Sequence, residues 1–241
     1  MSFNVNLSER LKQVASFLPT GALFADIGSD HAYLPCYVCL QDQTSQAIAG
    51  EVNEGPYESA LRTVQQFKMD DRIDVRLGNG LAVLDQQEVN QLVIAGMGGS
   101  LIRNILEEGK DKLDAVNHII AQPNIDARSV RKWFIENGYV LENEGILEEN
   151  GHIYEILSAK RDIRKSPYQE EIKERQLLFG PYLMREKNTA FFNKWLHEYE
   201  KLQRVLVQME EAKVKDQAKV LQFNLELKWM EEIINEIDNQ K

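Results

Sequence analysis

Apolar and polar positions divide the chain into two parts that follow different periods. Up to about residue 165, short apolar runs typical of strands alternate with helical patterns and glycine turns. The runs are LFADIG (23–28), QAIAGEV (46–52), IDVRLG (73–78), QLVIAGMGG (91–99) and HIIAQPN (118–124), and the helical patterns fall at about 31–41, 56–68, 99–109 and 126–138. This alternation predicts parallel strands with crossover helices, hence an α/β, doubly wound, Rossmann-like sheet.

The end of this first part has a different pattern. Residues 139–160 contain two strand-like runs separated by Glu149-Asn150-Gly151. Asn-Gly is a turn sequence that joins two antiparallel strands. The sheet is therefore predicted to finish with an antiparallel hairpin.

Beyond residue 166 the apolar residues follow a helical period. Two sets of apolar residues are spaced three and four apart, namely Phe192, Trp195, Tyr199, Leu202, Leu206 and Met209, and then Val220, Phe223, Leu227, Met230, Ile234 and Ile237. Each set forms a narrow apolar seam, which predicts an α-helical coiled-coil hairpin. Two helices packed on the main domain would share the same seams, so that alternative stays open. We expect a sheet domain over 1–165 and a helical coiled-coil domain over 166–241.

Composition and charge narrow the function classes. The 241 residues carry 28 Lys+Arg and 38 Asp+Glu, a net charge of −10, which argues against a surface coated in basic charge for nucleic-acid binding but allows a local basic face. Two cysteines exclude a disulfide scaffold and a four-cysteine zinc site, and Cys36 and Cys39 are expected to pack in the core without a metal. With no membrane-length apolar run and no secretory signal, we expect a cytoplasmic protein.

The first candidate ligand loop is acidic. In an open α/β sheet, ligands bind beyond the carboxyl ends of the strands. The loop after the first strand reads Asp26-Ile27-Gly28-Ser29-Asp30-His31 and lacks the three glycines of a dinucleotide fingerprint. Its two aspartates would repel a pyrophosphate, so the loop favours a positively charged ligand, such as a sulfonium or an ammonium.

The next two loops suit a nucleoside. Glu51 ends the second strand, where a carboxylate can accept both hydroxyl groups of a ribose, although a solvated strand end would look the same. Asn79, between Gly78 and Gly80, can pair with an adenine edge or form a plain Asn-Gly turn. Each loop alone is weak evidence for a ligand site. Three such loops in order, with a strand between each, together favour a nucleoside with a cationic substituent.

This combination resembles the class I S-adenosylmethionine-dependent methyltransferases. The motifs that narrow the resemblance are DIGSDHAYLP (26–35), AGEVNEGP (49–56), LGNGL (77–81), AGMGG (95–99) and AQPN (121–124). Together with the long helical hairpin they look like the bacterial tRNA (adenine(22)-N1)-methyltransferase family, over essentially the whole chain. The resemblance implies methyl transfer from S-adenosyl-L-methionine to N1 of adenine 22 in tRNA. A methyltransferase for another RNA or a small molecule, and a non-catalytic adaptor, are the alternatives.

The resemblance also implies roles for individual residues. The cofactor would be bound by Asp26, Gly28, Asp30, His31, Glu51, Val52, Asn79, Gly80 and Gly96. Within this set, His31 would open the helix that follows the first loop. The mouth where the methyl group is transferred would be lined by Met97, Gly98, Gln122 and Asn124. No side chain is assigned as a general base, since adenine N1 already carries an in-plane lone pair. We expect Asp26 and Glu51 to lie on solvent-facing loops.

Cations for RNA binding are expected near the junction of the two parts. The candidates are Arg10, Arg128, Arg131, Lys132, Arg161, Arg164 and Lys165. They predict a basic face that reaches from Arg161 toward the mouth. Pairing of these cations with carboxylates such as Asp126 and Asp162 is the alternative. Lys194, Lys201 and Arg204 are expected on the outer surface of the helical tail, where they would contribute to tRNA binding.

Overall fold

A single seven-stranded sheet forms the centre of the molecule. The structure, a computed structural model, describes residues 5–161, 166–211 and 216–238. The strands lie in the order β3-β2-β1-β4-β5-β7-β6. Their bounds are β1 (Leu23–Ile27), β2 (Gln46–Glu51), β3 (Ile73–Leu77), β4 (Gln91–Gly98), β5 (His118–Ile125), β6 (Tyr139–Glu149) and β7 (His152–Arg161).

Helices follow most strands and then fill the last third of the chain. They are α1 (Glu9–Ser16), α2 (Tyr33–Gln41), α3 (Glu54–Phe67), α4 (Gly99–Glu108), α5 (Ala127–Glu136), α6 (Lys173–Phe179), α7 (Leu183–Glu186), α8 (Thr189–Glu211) and α9 (Gln217–Asp238). In the described ranges, none of these helices is both long and apolar enough to cross a membrane. The same residues contain no cluster of His, Cys, Asp and Glu suited to a metal ion.

The direction of the strands determines which loops can meet. β1 to β5 are parallel, and the sheet order reverses between β1 and β4, so their carboxyl ends share one edge at the switch point. β7 runs antiparallel between β5 and β6. Asn150 and Gly151 join β6 to β7 with φ of 52° and 76°, as a type I′ turn requires. The predicted parallel sheet with an antiparallel end is confirmed.

Two apolar layers cover the sheet because neighbouring strand residues point to opposite faces. Leu92 and Ile94 of β4 pack in the layer of α4 and α5, whereas Val93 packs in the layer of α1, α2 and α3. Cys36 and Cys39 are free and fully buried in the second layer, so their predicted packing role is confirmed. This two-sided burial leaves the strand ends as the exposed edges of the sheet.

The tail helices pack on each other and on the sheet. Lys187, just before α8, contacts Glu236 near the end of α9, so the two helices are antiparallel. Phe191 and Trp195 of α8 share an apolar cluster with Ile146 of β6. The tail helices therefore pack on the main domain, as the alternative interpretation of their apolar seams expected. A coiled-coil geometry between α8 and α9 stays a prediction. The boundary at residue 165 also stays a prediction, and residues 162–165 lie outside the described residues.

Candidate active site

The loop after β1 makes a sharp turn that is built from left-handed residues. Gly28 has φ of 71°, and its N–H donates to a carbonyl of β2 at 2.9 Å. Asp30, His31 and Ala32 follow with φ of 44°, 74° and 56°. A run of left-handed residues cannot continue a right-handed helix, so α2 begins only at Tyr33. The prediction that His31 opens this helix is wrong.

Asp26 is buried at the end of β1, where its side chain is held by Ser29. The residue is 3% exposed, and the Ser29 hydroxyl donates to Oδ2 at 2.7 Å. Burial raises the pKa of Asp26 to about 7, and the hydrogen bond from Ser29 only partly opposes this. The prediction of a solvent-facing Asp26 is wrong, because the carboxyl belongs to the strand and not to the loop after it.

Glu51 is the second buried carboxyl group at this edge. It is 5% exposed, so its predicted solvent exposure is also wrong. Its Oε1 accepts the backbone N–H of Asp30, which ties the β2 end to the β1 loop. Burial raises the pKa of Glu51, and this hydrogen bond opposes the shift. Val52, the next residue, is 59% exposed.

The third predicted loop lies next to the second. The backbone N–H of Gly78 donates to the carbonyl of Glu51 at 2.7 Å. Asn79 and Gly80 follow at the start of a 3₁₀ turn, and Gly80 has φ of 54°. The two residues line a cavity of about 250 Å³ whose far wall includes Ile105 of α4. The three loops that were assigned to a nucleoside are therefore contiguous at one edge of the sheet.

Met97 lies across the first loop from the end of β4. A Cβ atom added to Gly28 would be 2.3 Å from Met97 Cε, so the tip of the methionine packs directly on this glycine, whose φ of 71° is itself one that favours glycine. The pairing of β4 with β5 shifts register around Met97, and Gly96 has φ of 78°. Such an irregularity changes the direction of a side chain within a strand. Here it brings Met97 to the mouth between the first and fourth loops.

A hydrogen-bonded network closes the other side of the mouth. Gln122, fully buried in β5, accepts the N–H of Gly96 at 3.1 Å and also the Arg10 guanidinium on the same Oε1. Its Nε2 donates to Asn124 Oδ1 at 3.1 Å, and Asn124 Nδ2 donates to the Gly96 carbonyl at 2.8 Å. The Arg10 guanidinium also lies 5.1 Å from the centre of the Tyr154 ring. α1, β4, β5 and β7 thus meet at one point.

The electrostatics of this edge fit a positively charged ligand. Asp26 and Glu51 are buried close enough to raise each other's ionisation cost, and no Lys or Arg pairs with either in the part of the chain that the structure describes. A bound cation would remove this cost. S-adenosyl-L-methionine, a nucleoside that carries a sulfonium, is a ligand of this kind.

The comparison with known proteins agrees with this arrangement. A family model described as tRNA (adenine(22)-N(1))-methyltransferase matches residues 24–231. The chain belongs to this family. It is 45% identical over 215 residues to a tRNA (adenine(22)-N(1))-methyltransferase of Bacillus subtilis, an alignment that covers 89% of this chain and 90% of the relative.

Solved structures of the family share nearly the whole fold. The crystal structure of the B. subtilis M1A22 tRNA methyltransferase TrmK has a TM-score of 0.89 and 42% identity, and the match covers 96% of this chain and all of that one. A Streptococcus pneumoniae structure in complex with S-adenosyl-L-methionine has a TM-score of 0.80, 38% identity, and coverage of 95% and 100%. TrmK of M. capricolum with S-adenosyl-homocysteine has a TM-score of 0.80, 26% identity, and coverage of 95% and 98%.

In this member of the methyltransferase family, the RNA-binding candidates that the structure describes lie in different parts of the fold. Arg161 ends β7 beside Lys160, which pairs with His118 at the amino end of β5. The length of β5, about 23 Å, separates that end from the mouth. Arg161 therefore does not border the mouth, and a basic face that joins the two stays a prediction. Arg164 and Lys165 lie outside the described residues.

Two cations on α5 pair with the helical tail. Arg128 lies 2.8 Å from Glu226 of α9 and its side chain is 18% exposed. Lys132 Nζ lies 3.6 Å from Glu174 of α6 and is 45% exposed. Arg128 and Lys132 are thus ion-paired, as the alternative to a free basic surface expected, although their partners are glutamates of the helical tail. A contact of either residue, or of Arg10, with RNA stays a prediction.

Arg131 is not an RNA contact, because it is completely buried. Its guanidinium donates to Glu144 of β6, to Glu155 of β7 and to the carbonyls of Leu177 and Leu178. The prediction that placed Arg131 on an RNA-facing surface is wrong. A signal was present in the sequence, since Arg131 shares the 3–4 spacing of the buried residues Ala127, Val130 and Phe134.

Lys194 of α8 belongs to the same buried network. Its ammonium contacts Glu155, and its side chain is only 20% exposed, so the prediction of an outward Lys194 is wrong. Lys201, two turns further along α8, remains 63% exposed. The network joins α5, β6, β7 and α8, and sequence patterns did not indicate it, because its members are far apart in the chain.

Proposed function

We propose that this protein transfers a methyl group from S-adenosyl-L-methionine to N1 of adenine 22 in tRNA. One observation carries the proposal. Two buried carboxyl groups, Asp26 and Glu51, with which no Lys or Arg pairs within the described residues, lie across the mouth from the hydrogen-bonded network of Gly96, Gln122 and Asn124. Membership of the family supports the tRNA substrate and the position. Because tRNA is a cytoplasmic substrate in bacteria, we place the reaction in the cytoplasm.

The residues of the first three loops would bind the cofactor. Glu51 would accept the ribose hydroxyls, and Asn79 would meet the adenine ring. Asp26 and Asp30 would balance positive charge on the methionine part. When bound, the cofactor supplies an electrophilic methyl group on a sulfonium.

The mouth would mainly align the two reactants. Adenine N1 has a lone pair in the plane of its ring, so no proton has to leave before it attacks the methyl carbon. The N–C bond forms as the S–C bond breaks, and the electron pair of the broken bond stays on sulfur. Gln122 and Asn124 hydrogen-bond to the Gly96 backbone and to each other, which would fix the approach of the base, and Met97 would exclude water.

Nucleoside mass spectrometry of a defined tRNA tests this function. The protein is incubated with unmodified tRNA transcript and S-adenosyl-L-methionine carrying a labelled methyl group. We expect one labelled 1-methyladenosine, located at position 22, and no label in a transcript whose adenine 22 is replaced by guanine. Label on the exocyclic amino group, at another position, or equally in both transcripts would overturn the proposal.

A further inference from the structure

The rim of the mouth carries an unusually exposed aliphatic residue. Ile125 ends β5 directly after Asn124 and is 69% exposed. It pairs with Gly98 of β4, and a Cβ atom added to Gly98 would lie 3.7 Å from Ile125 Cγ1. One face of Ile125 therefore borders the mouth, and most of its surface is in water. Exposing so much aliphatic surface at a ligand site favours an apolar contact with the ligand.

A second space begins on the other side of Ile125. A cavity of about 590 Å³ lies between the start of α5, the β6–β7 turn and the tail helices α8 and α9, and Asn124 and Ile125 form the wall nearest the mouth. This volume is in the range of about 300–1,000 Å³ that is typical of ligand pockets. Ile125 is thus a ridge between the methyl-transfer mouth and this cavity, which we call the hairpin cleft.

The apolar part of the lining of the hairpin cleft suits the base of one unpaired nucleotide, and the glutamates of the lining are held in ion pairs with Arg and Lys. Ile153 from the β7 side and Leu202 and Phe223 from the tail helices offer apolar walls for a base. His197 and Lys201 stand on the α8 side, and Lys201 is 63% exposed, 3.5 Å from Glu198. A cation that is exposed and held only by a long ion pair is available to a phosphate.

We propose that Ile125 separates two consecutive nucleotides of the substrate, with the target adenine in the mouth and its neighbour in the hairpin cleft. This inference rests on the proposed function. N1 lies on the Watson–Crick edge of adenine, so the base has to leave its stack before its N1 can reach the methyl group. An aliphatic side chain that enters the gap replaces the lost stacking contact and slows the return of the base. Ile125 is a positioning residue in this scheme and takes no part in bond changes.

Substitution of Ile125 tests the wedge. Ile125→Ser removes most of the aliphatic contact, and Ile125→Leu keeps it. Leu221→Ser is the matched control, because Leu221 of α9 is 72% exposed and does not line the cleft. We expect Ile125→Ser to lower kcat/KM for tRNA by about tenfold or more, with cofactor affinity unchanged, and both other variants to stay within about twofold of the original protein.

A modified substrate separates a wedge from a merely structural role. The same transcript is prepared with an abasic residue next to adenine 22, on each side in turn, so that less stacking opposes extrusion. One of these transcripts should restore Ile125→Ser to within about threefold of the original protein. Equal losses on all transcripts, or no loss on the intact tRNA, would overturn the wedge.

A substitution that narrows the hairpin cleft gives a second, independent test of the proposal. His197 is an exposed residue on its wall, so His197→Trp should leave the fold intact and raise KM for tRNA without changing cofactor affinity. An unchanged KM would contradict occupation of the cleft by RNA. If the unsubstituted protein makes no 1-methyladenosine at position 22, the proposed function itself fails, which is a different result from an active protein that tolerates Ile125→Ser.

Discussion

Arg131 of α5 and Glu144 of β6 form an ion pair of 2.6 Å in which neither side chain is exposed to solvent. Glu155 of β7 completes the set, and Glu144 Oε2 also accepts the backbone N–H of Tyr182 at 2.9 Å. A Cβ atom on Gly180 would lie 2.7 Å from both Arg131 and Glu144. Because α5 begins just after the mouth, this cluster fixes the tail relative to the site.

Removing the central cation should destabilise the fold strongly. Arg131→Met leaves the buried Glu144 without a cation and Glu155 with Lys194 alone, and we expect the free energy of unfolding to fall by about 3–5 kcal/mol. Urea unfolding followed by circular dichroism measures this change. Lys132→Met is the control, because that exposed residue should change stability by less than about 1 kcal/mol.

The compensated variant distinguishes lost charge balance from lost packing. With Arg131→Met and Glu144→Gln combined, Glu155 keeps Lys194 as its partner and no buried charge is left unpaired, so most of the lost stability should return. A double variant as unstable as Arg131→Met would show that packing of the guanidinium, and not its charge, holds the tail in place.

Glu51 should contribute to cofactor affinity more than to stability. Glu51→Gln keeps the shape of the buried side chain but removes its charge, so we expect binding of S-adenosyl-L-methionine to weaken by about ten- to a hundredfold. Isothermal titration calorimetry measures the affinity. Glu54→Gln, at an exposed position three residues further on, is the control and should bind as tightly as the original protein. Equal affinities for all three proteins would reject Glu51 as a ligand residue.

Two buried groups should give opposite pH dependences of stability. Burial raises the pKa of Asp26 to about 7, so its contribution is complete below about pH 4 and is lost as the pH rises to 7. Burial, followed by the charge of Lys160, lowers the pKa of His118 to about 4. The contribution of His118 is complete above about pH 6.5 and is lost as the pH falls to 4.

Single substitutions should reveal each slope. Asp26→Asn leaves the His118 effect alone, so the free energy of unfolding should rise with pH between 4 and 7. His118→Gln leaves the Asp26 effect, so its free energy of unfolding should fall with pH over the same range. In each variant, this free energy should change by about 1–4 kcal/mol between pH 4 and 7. Urea unfolding at several pH values checks both signs. Parallel pH profiles for the two variants would contradict the assignment.

Charge on the exposed face of α8 should affect RNA binding. Reversing Lys201 and Arg204 to Glu is expected to weaken tRNA binding about tenfold at low salt and to reduce the salt dependence of affinity, while cofactor affinity stays the same. Lys68→Glu is the control, because Lys68, directly after α3, lies at the opposite edge of the sheet from the mouth. Filter binding over a range of salt concentrations measures both quantities. Equal salt slopes for all variants would remove α8 from the RNA interface.

The period of the apolar residues determined most of the fold. Alternating runs were sufficient for the parallel strands, and Asn150-Gly151 for the hairpin turn. The same pattern predicted the candidate site, because parallel strands bring their carboxyl ends to one edge of the sheet. Gly28, Glu51 and Asn79 follow or end such strands, so they meet at this edge however the helices pack. The position of Arg161 also follows from this topology. A strand that runs antiparallel to β5 ends beside the amino end of β5, at the edge of the sheet opposite the mouth.

Only the tertiary structure decided which charges are buried. Asp26, Arg131 and Lys194 look like surface residues in the sequence, and all three are largely or fully enclosed. The partners of Arg131 lie 13 and 24 residues away, on strands of a hairpin that the tail then covers. A local pattern records which residues share one face of a helix or strand, but the cost of burying a charge depends on distant groups that fold against it. That long-range contact is why the tail, and the cleft beside Ile125, could be known only from the folded chain.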